Sequence, residues 1–462
     1  MLINVMEDFI RAEIARFLAS KERALMLTGE RYYKNDHDII DRKRQYVDEE
    51  GKAHPEPNLA NNRVPHAFLR ALVDQKTGYL LGKPFSFQAE SDAYGKALAE
   101  LMDEDFRRML KDVGEEAVIK GLAWVQPHYD EEGALRFVRI PSEQVHPLWA
   151  DNAHTKLDAV IRVYDVDAYD GAELKTITKV EYWDASGVKH YELSAQGLIP
   201  DVSQGDGGEA YHMADTKGRP MNWERLPFVC FKYNKYEIPL IKYVKGLIDD
   251  YDARTSDDAN NLEDLPNSVL VIQNYDGANL GEFRRNLALY RAVKVSGDGG
   301  VSALTVPVEM EAVARHLERT RRDIYAFGRG VDPLSDNTGN ASGVALKFLY
   351  AHLDVDCNIM ESEFSASLKA LLWFYTTHLA NTGGGDFARE KVEFAFNRDI
   401  IISETDAIQG VKDSVGILSE ETVLSMHPAV SDVQEELRRK KKEAEEQSED
   451  VAYPPLFTPP EA

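Results

Sequence analysis

The hydrophobic positions of this chain switch between two periods, and the switches predict its elements. Residues 1–47 open on a helical pattern with Phe9, Ile10, Ile14, Phe17 and Leu18 on one face, followed by the polar stretch ERYYKNDHDII. Beyond a Pro/Gly loop at 48–62, a second helical pattern runs from His66, just after Pro65, to Leu81, where Gly82-Lys83-Pro84 stops it. A third runs from Ser91 to Lys120 and closes on Gly121. The period then drops to two. LAWVQPHYD and LRFVRI around the turn EEG read as a β-hairpin, and further strands are expected at 158–164, 176–183 and 188–193, with a Gly-rich loop at 204–208. The run LPFVCFKY, 226–233, reads as a buried strand.

The middle of the chain is different. From 238 to 266 an apolar stripe (Leu240, Tyr243, Val244, Leu247, Ile248, Tyr251) gives way to Asp249, Asp250, Asp252, Asp257, Asp258, Glu263 and Asp264, against Arg254 alone. As one helix it would be roughly 40 Å long, and with so sparse an apolar face it needs neighbours to hold it. Pro266 ends it. An insert at 267–307 follows: strand 268–273, a turn at 275–277, a short helix 280–289, strand 291–295, the loop SGDGG and strand 302–306. SGDGG lacks the lysine and Ser/Thr of a phosphate loop and reads as a hairpin turn. A returning segment, 308–330, has Met310, Val313, Ala314, Leu317, Ile324 and Tyr325 on one face and Arg315, Arg319, Arg321, Arg322 and Arg329 elsewhere. This is a rod that leaves a body, turns at its tip and comes back with the opposite charge, an assembly element more than a catalytic cleft. Its arginines are expected to meet Asp249, Asp250, Asp257 and Asp258, within one subunit or across to the next. Each exposed pair is worth at most about 1 kcal/mol, but a repeated set fixes register.

The polar loop DPLSDNTGNASG comes next, and then one long helical pattern, 343–380, with Val344, Phe348, Leu349, Leu353, Ile359, Met360, Phe364, Leu368, Leu371, Leu372 and Tyr375 as its apolar positions. NTGGGDF ends it, KVEFAFNRDI reads as a strand, and two short helices and a charged helix to 447 follow. The last stretch, SEDVAYPPLFTPPEA, has the composition of a disordered tail. The fold class is α+β.

Composition narrows the function. A chain of 462 residues makes about two to four domains. The net charge of −25 excludes a protein that wraps DNA by neutralising phosphates, though not one that lets DNA pass ungripped. Two cysteines, Cys230 and Cys357, make neither a disulfide framework nor a cysteine zinc site. No apolar run approaches the roughly 20 residues that span a bilayer, and the N-terminal stretch lacks the apolar core of a signal peptide. A soluble intracellular product is expected, without membrane contact. His37, between Asp36 and Asp38, has no second histidine at ligand spacing and reads as a surface or interface residue, not a metal ligand.

The rival reading is a metal-dependent phosphotransferase or nucleotidyltransferase built on Asp165/Asp167 or Asp354/Asp356. Two-metal chemistry needs carboxylates converging on metals about 4 Å apart. Asp354 and Asp356 lie two apart on a predicted helix and face different ways, and no phosphate loop lies near Asp165 and Asp167. No enzyme activity and no cofactor are therefore expected.

Several stretches share a pattern with a known family: ERYYKNDHDII, NNRVPHAFLRALVDQKTGYLLGKPF, RLPFVCFKYNK with the helix beyond it, DPLSDNTGNASGVALKFLY and FNRDIIISETDAIQGVKDSVGILSEETVLSMHP. In that order, over nearly the whole chain, they resemble the portal proteins of tailed bacteriophages, in particular the siphophage portals of phages of Gram-positive bacteria. The pair LVDQKTGYLLGKP and GNASGVALK carries the most specificity. The resemblance implies a ring, usually of twelve subunits, at one capsid vertex, with a central channel for packaging and ejecting double-stranded DNA. It maps 1–237 onto a wing, 238–266 and 308–330 onto stem helices, 267–307 onto a clip, 331–342 onto a tunnel loop, 343–402 onto the wing's long helix and strand, 403–447 onto a short helical crown and 448–462 onto a tail. Asp332, Ser335, Asp336, Asn337, Thr338, Asn340 and Ser342 would then face DNA. The implied partners are the terminase large subunit, a head-completion adaptor, and the major capsid and scaffolding proteins. The implied location is the virion, after assembly in the host cytoplasm. Another head–tail connector ring is the nearest alternative, but such chains are shorter and lack the stem–clip–stem layout.

Overall fold

The computed structural model describes residues 2–48, 50–55, 60–130, 132–214, 219–263, 268–273, 300–305, 310–334, 343–398, 404–427, 429–430 and 433–450. Helices and antiparallel sheets are both present, as the α+β class requires. The chain forms two compact units. The first joins Met1–Gly29, Leu72–Leu240 and Arg329–Ala462, and the second joins Glu30–Ala71 and Ile241–Gly328.

In the first unit the period-two stretches form an antiparallel meander of Val145–Trp149, Leu157–Asp170, Glu173–Asp184, Gly187–Ser194 and Gly197–Pro200, with Glu209–Ala210 added beside Gly187–Ser194. Alternation gives the sheet two buried faces. Ala159, Ile161, Val163, Val180 and Tyr182 pack with Ile10 and Ile14 of the N-terminal helix. Val160, Trp183 and Val188 pack with Trp124 and Phe228. A second sheet runs Val229–Lys232, Leu122–Tyr129, Leu135–Ile140, which realises the expected hairpin and places the LPFVCFKY strand beside it. Helix Gly343–Thr382 buries Leu353, Cys357, Met360, Phe364 and Leu368, and Phe364 meets the Phe231 ring edge-on at 5.1 Å. Strand Val392–Ala395 pairs with Ser86–Ala89.

Several boundaries differ from the periodic reading, each for a local reason. The first pattern is two helices, Leu2–Leu18 and Lys21–Tyr33, and Phe9 and Leu18 lie exposed while Ile10, Ile14 and Phe17 are buried. A helix lying on a sheet buries a narrow stripe, and each neighbouring position turns about 100° away from it. The third pattern is broken at Asp103, whose carboxylate accepts the Phe106 N–H at 2.8 Å and starts a new helix, Glu104–Lys120, after Asp92–Leu101. On the long helix, Phe348 and Ile359 are exposed because they fall off the stripe set by Leu353, Cys357, Met360, Phe364 and Leu368. The loop expected at 48–62 holds part of a small hairpin, Gln45–Val47 against Ala53–Pro55. The expected helix at 66–81 begins at Phe68.

Gly121 joins helix Glu104–Lys120 to its sheet. Its φ is +90°, and a Cβ there would sit 2.2 Å from the Glu237 carbonyl oxygen. The close approach is used: Gly121 O accepts the Tyr233 N–H at 3.0 Å and Val118 O accepts the Leu240 N–H at 3.1 Å.

The second unit contains two arms, Ile241–Glu263 and Met310–Phe327, packed against each other. Ser268–Gln273 and Gly300–Thr305 pair antiparallel in the same unit, from Ser268 opposite Thr305 to Gln273 opposite Gly300. The helix expected at 280–289, the strand at 291–295 and most of SGDGG lie outside the described residues. On the outgoing arm Val244, Ile248, Asp252, Ser256 and Asn260 recur every fourth residue, and all are fully buried. The apolar stripe thus does not end halfway along the arm, as its composition suggests, but continues as a polar one. What covers it is the extended segment at 62–66. The N–H of Asn62 donates to Asn260 Oδ1 (2.5 Å), that of Val64 to Ser256 Oγ (3.0 Å) and that of His66 to Asp252 Oδ1 (2.9 Å). Four helical residues advance about 6 Å and two extended residues about 6.6 Å, so alternate backbone donors meet every fourth side chain at three successive contacts.

His37 completes this line and corrects its reading as a surface or interface residue. It is fully buried within the second unit, with Nδ1 2.6 Å from Asp252 Oδ2, Nε2 3.2 Å from the Tyr32 carbonyl and its ring stacked on Tyr32 at 4.3 Å. The sequence conceals this, because its partner lies more than two hundred positions away.

Two stability predictions follow from these contacts. Gly121→Ala should lower the unfolding free energy by about 2 kcal/mol or more, from left-handed strain and the Glu237 clash. Ser256→Ala leaves one N–H unmatched and should cost about 1–3 kcal/mol, whereas Asp252→Ala strips the Asp252 carboxylate from two histidines and one N–H and should cost about 3–5 kcal/mol. Denaturant titration of the three variants measures both the sizes and the order.

Candidate functional site

The charges singled out on the two arms have definite partners. Asp249 accepts the Tyr32 hydroxyl and pairs with Lys245 at 2.7 Å. Lys245 also holds Asp38 at 2.6 Å, and Arg31 holds the same carboxylate at 2.5 Å. Burial works to raise the Asp38 pKa, but the hydrogen bonds from Lys245 and Arg31 outweigh it and bring the group down to about 2. Asp257 pairs with Arg42 at 2.6 Å. Asp250 receives Arg254 at 3.3 Å and His316 Nε2 at 2.7 Å, and Arg319 lies 3.2 Å from His316 Nδ1. His316 therefore links Arg319 on the returning arm to Asp250 on the outgoing one. Arg315 and Arg322 pair with Glu311 (2.6 Å) and Glu318 (2.7 Å) one turn back on their own helix. Arg321 is half-buried, and Asp258 makes no ion pair among the described residues. Within one chain, then, most of the acids of the outgoing arm are answered from its own helix and from residues 31–66.

The loop after the returning arm has a built base. Of the residues expected to face DNA, Asp332 is described, and its carboxylate accepts the Leu334 N–H at 3.0 Å; Ser335, Asp336, Asn337, Thr338, Asn340 and Ser342 lie outside the described residues. Just before them, the Gln75 side chain pairs with the backbone of Val331 in both directions, accepting its N–H at 2.7 Å and donating to its carbonyl at 3.0 Å. Lys76, 1% exposed, donates to the Arg329 carbonyl (3.1 Å) and pairs with Asp356 at 2.6 Å. Asp356 sits on the long helix that leaves the loop, where it also accepts the Tyr233 hydroxyl and lies 3.2 Å from the Arg329 guanidinium. Burial, and then the charge of Asp356, push the Tyr233 hydroxyl pKa well above its usual value, so it stays a donor. Arg329 itself has φ +51°, an unusual backbone for an arginine, held by these contacts.

This cluster was not singled out from sequence. Its signal is Gln75-Lys76 between the apolar positions Leu72, Val73, Tyr79 and Leu80 of helix Phe68–Leu81, together with an aspartate on the buried side of the long helix. The other paired acids are engaged structurally. Asp354 accepts Tyr79 at 2.7 Å and pairs with Arg398 at 3.3 Å, apart from the Asp356 partners, while Asp165 and Asp167 accept Thr178 and Thr176 hydroxyls at 2.6 and 2.9 Å. Among the described residues, no three His, Cys, Asp or Glu side chains gather as a metal site, and no helix is long and apolar enough to cross a membrane.

Comparison with known proteins gives the family. Residues 19–450 match the model described as phage portal protein, SPP1 Gp6-like. The portal protein of Bacillus phage SPP1 is 34% identical over 429 residues, 92% of this chain and 84% of that one. The portal protein of Clostridium phage phiCD119 is 28% identical over 466 residues, 96% of this chain and 98% of the other. A solved structure described as the neck of a native GTA particle computed with C12 symmetry aligns at a TM-score of 0.38 and 13% identity, over 78% of this chain and 90% of that one, too slight a likeness to bear on the fold. The family match spans nearly the whole chain, including the QK pair under the loop and the long helix that answers it, and the chain belongs to the SPP1 Gp6-like family of phage portal proteins.

Proposed function

We propose that copies of this portal protein form a ring of twelve at one capsid vertex, through which double-stranded DNA is packaged and later ejected. In this reading residues 1–237 and 343–402 make the wing, 238–266 and 308–330 the stem, 267–307 the clip, 331–342 the tunnel loop, 403–447 the crown and 448–462 a tail. The observation that carries it is the return of the chain within the second unit. Two long arms pack together, and the strands between them pair so that Ser268 and Thr305, the outgoing and returning ends, stand opposite each other. Residues Glu30–Ala71 belong to the same unit and act as the brace of the stem. The clip is where the terminase motor docks during packaging and the head-completion adaptor afterwards. The wing meets the capsid and scaffolding proteins, and the ring assembles in the host cytoplasm.

The role in the channel is that of a guide or valve, not a clamp. A net charge of −25 per subunit repels phosphates wherever it faces the lumen. The loop carries only Asp332 and Asp336 as charges, with Ser335, Asn337, Thr338, Asn340 and Ser342 as weak hydrogen-bonding groups. Gly339 and Gly343 give its backbone freedom to shift as DNA advances. The contacts of Arg329 and Val331 with Lys76 and Gln75 support a fixed entry into the loop. The portal family is structural, so no catalytic step is assigned to these residues.

Negative-stain imaging of the purified protein should give rings with a central channel, and a compact monomer would sink the reading. In a reconstituted packaging motor, the double variant Asp336→Lys/Asn337→Lys should slow or stall translocation, because the added cations hold phosphates. Unchanged packaging rates would mean that the loop does not touch DNA.

A further inference from the structure

Strands Leu157–Asp170 and Glu173–Asp184 outrun their sheet. Val145–Trp149 pairs with the first only as far as Arg162, and Gly187–Ser194 pairs with the second only down to Thr178. Beyond those points the two continue as a ribbon, Val166 opposite Ile177 to Asp170 opposite Glu173, turning at Gly171 with φ +67°. Both edges of the ribbon are open among the described residues. A two-stranded ribbon is at best marginally stable alone in water, and this one exposes Val166, Tyr169 and Leu174, with Tyr169 75% accessible. Cross-strand partners share a face. One face therefore carries Tyr169 with Leu174 at the tip, then Asp167 with Thr176 and Asp165 with Thr178. The threonine hydroxyls donate to both carboxylates and hold them in place. The result is an apolar tip backed by two oriented acids.

The first unit also holds a surface of the converse kind. A cleft of about 260 Å³ is lined mainly by Leu81, Phe85 and Leu110, with Lys83, Arg107, Arg108 and Lys111 around it. All four cations are exposed; Arg108 pairs with Asp105, and Arg107 and Lys111 make no ion pair among the described residues. On a chain with a net charge of −25 such a group of cations stands out. A closed ring is built on heterologous contacts, in which each subunit offers one patch to the next and receives another on a different patch.

We infer that the tip of the 165–178 ribbon of one copy docks into the cation-rimmed cleft of a neighbouring copy, Tyr169 and Leu174 entering the apolar part and Asp165 and Asp167 meeting Arg107 and Lys111. The inference rests on the ring reading and adds the contact that sets its register. Apolar burial holds the tip, and the charges choose partner and orientation.

The chain's own Cys230 and Cys357 are free, one half-buried and one buried, which leaves surface cysteines easy to read. In the double variant Tyr169→Cys/Lys83→Cys, mild oxidation of assembled protein should give a ladder of disulfide-linked multimers on a non-reducing gel, absent from either single variant. Independently, Asp165→Lys/Asp167→Lys and Arg107→Glu/Lys111→Glu should each cut ring yield by about tenfold, and the combined charge swap should restore it, which a folding defect would not do. Rings by negative stain at full yield in every variant, with no ladder, would overturn the docking and leave the ring standing. If the unaltered chain forms no rings, the ring reading itself fails, and the docking with it.

Discussion

The structure of the second unit depends on a coincidence of two periods. An extended backbone presents an inward N–H every second residue, and a helix presents a side chain in line every fourth. Asn62, Val64 and His66 laid on Asn260, Ser256 and Asp252 use that match for three consecutive contacts. It lets a helix too polar to form a core of its own be buried along one side without leaving donors unmatched. The same line of side chains starts apolar, at Val244 and Ile248, so hydrophobic packing at one end grades into hydrogen bonding at the other. The outgoing arm is thus a braced rod, held by residues that lie almost two hundred positions before it in the chain.

Within the chain, most acids of this arm have partners other than the returning arginines. Asp249, Asp252 and Asp257 are taken by Tyr32 and Lys245, by His37 and His66, and by Arg42. Most of those partners belong to the brace or the helix before it. The arms themselves meet through His316, which joins Asp250 to Arg319, while the returning arm buries Ile324 and lays Tyr325 edge-on to Phe68. Arg315 and Arg322 are left on exposed pairs with their own helix, each worth little.

A second group of buried charges serves the loop. Lys76 and Asp356 are costly to bury singly and tolerable only with their hydrogen bonds complete. Tyr233 and the Arg329 backbone and guanidinium complete them. Such a network is more sensitive to geometry than an apolar contact of the same size, and here it fixes the backbone at Arg329 where the returning arm ends.

Much of this protein was legible from residue order alone. Period and turn chemistry gave the β-hairpin at Leu122–Ile140, the meander strands, the two arms and the long helix after the loop, because those signals are local, whereas the pairing of Ser268–Gln273 with Gly300–Thr305 joins distant segments and was not legible. The matching stretches, LVDQKTGYLLGKP and GNASGVALK above all, point to the portal family by themselves. Other features became visible only in the tertiary structure. Asp103 broke a helix that periodicity ran together, Phe9, Phe348 and Ile359 turned outward, and His37 moved from surface to core. The brace at 62–66 and the Lys76–Asp356 cluster appeared as well. A buried polar residue reads as a surface one until its partner is known, and here the partners of His37, Ser256 and Lys76 lie 215, 192 and 280 residues away along the chain. Sequence records what each residue is able to bond; only the fold decides which distant group it meets.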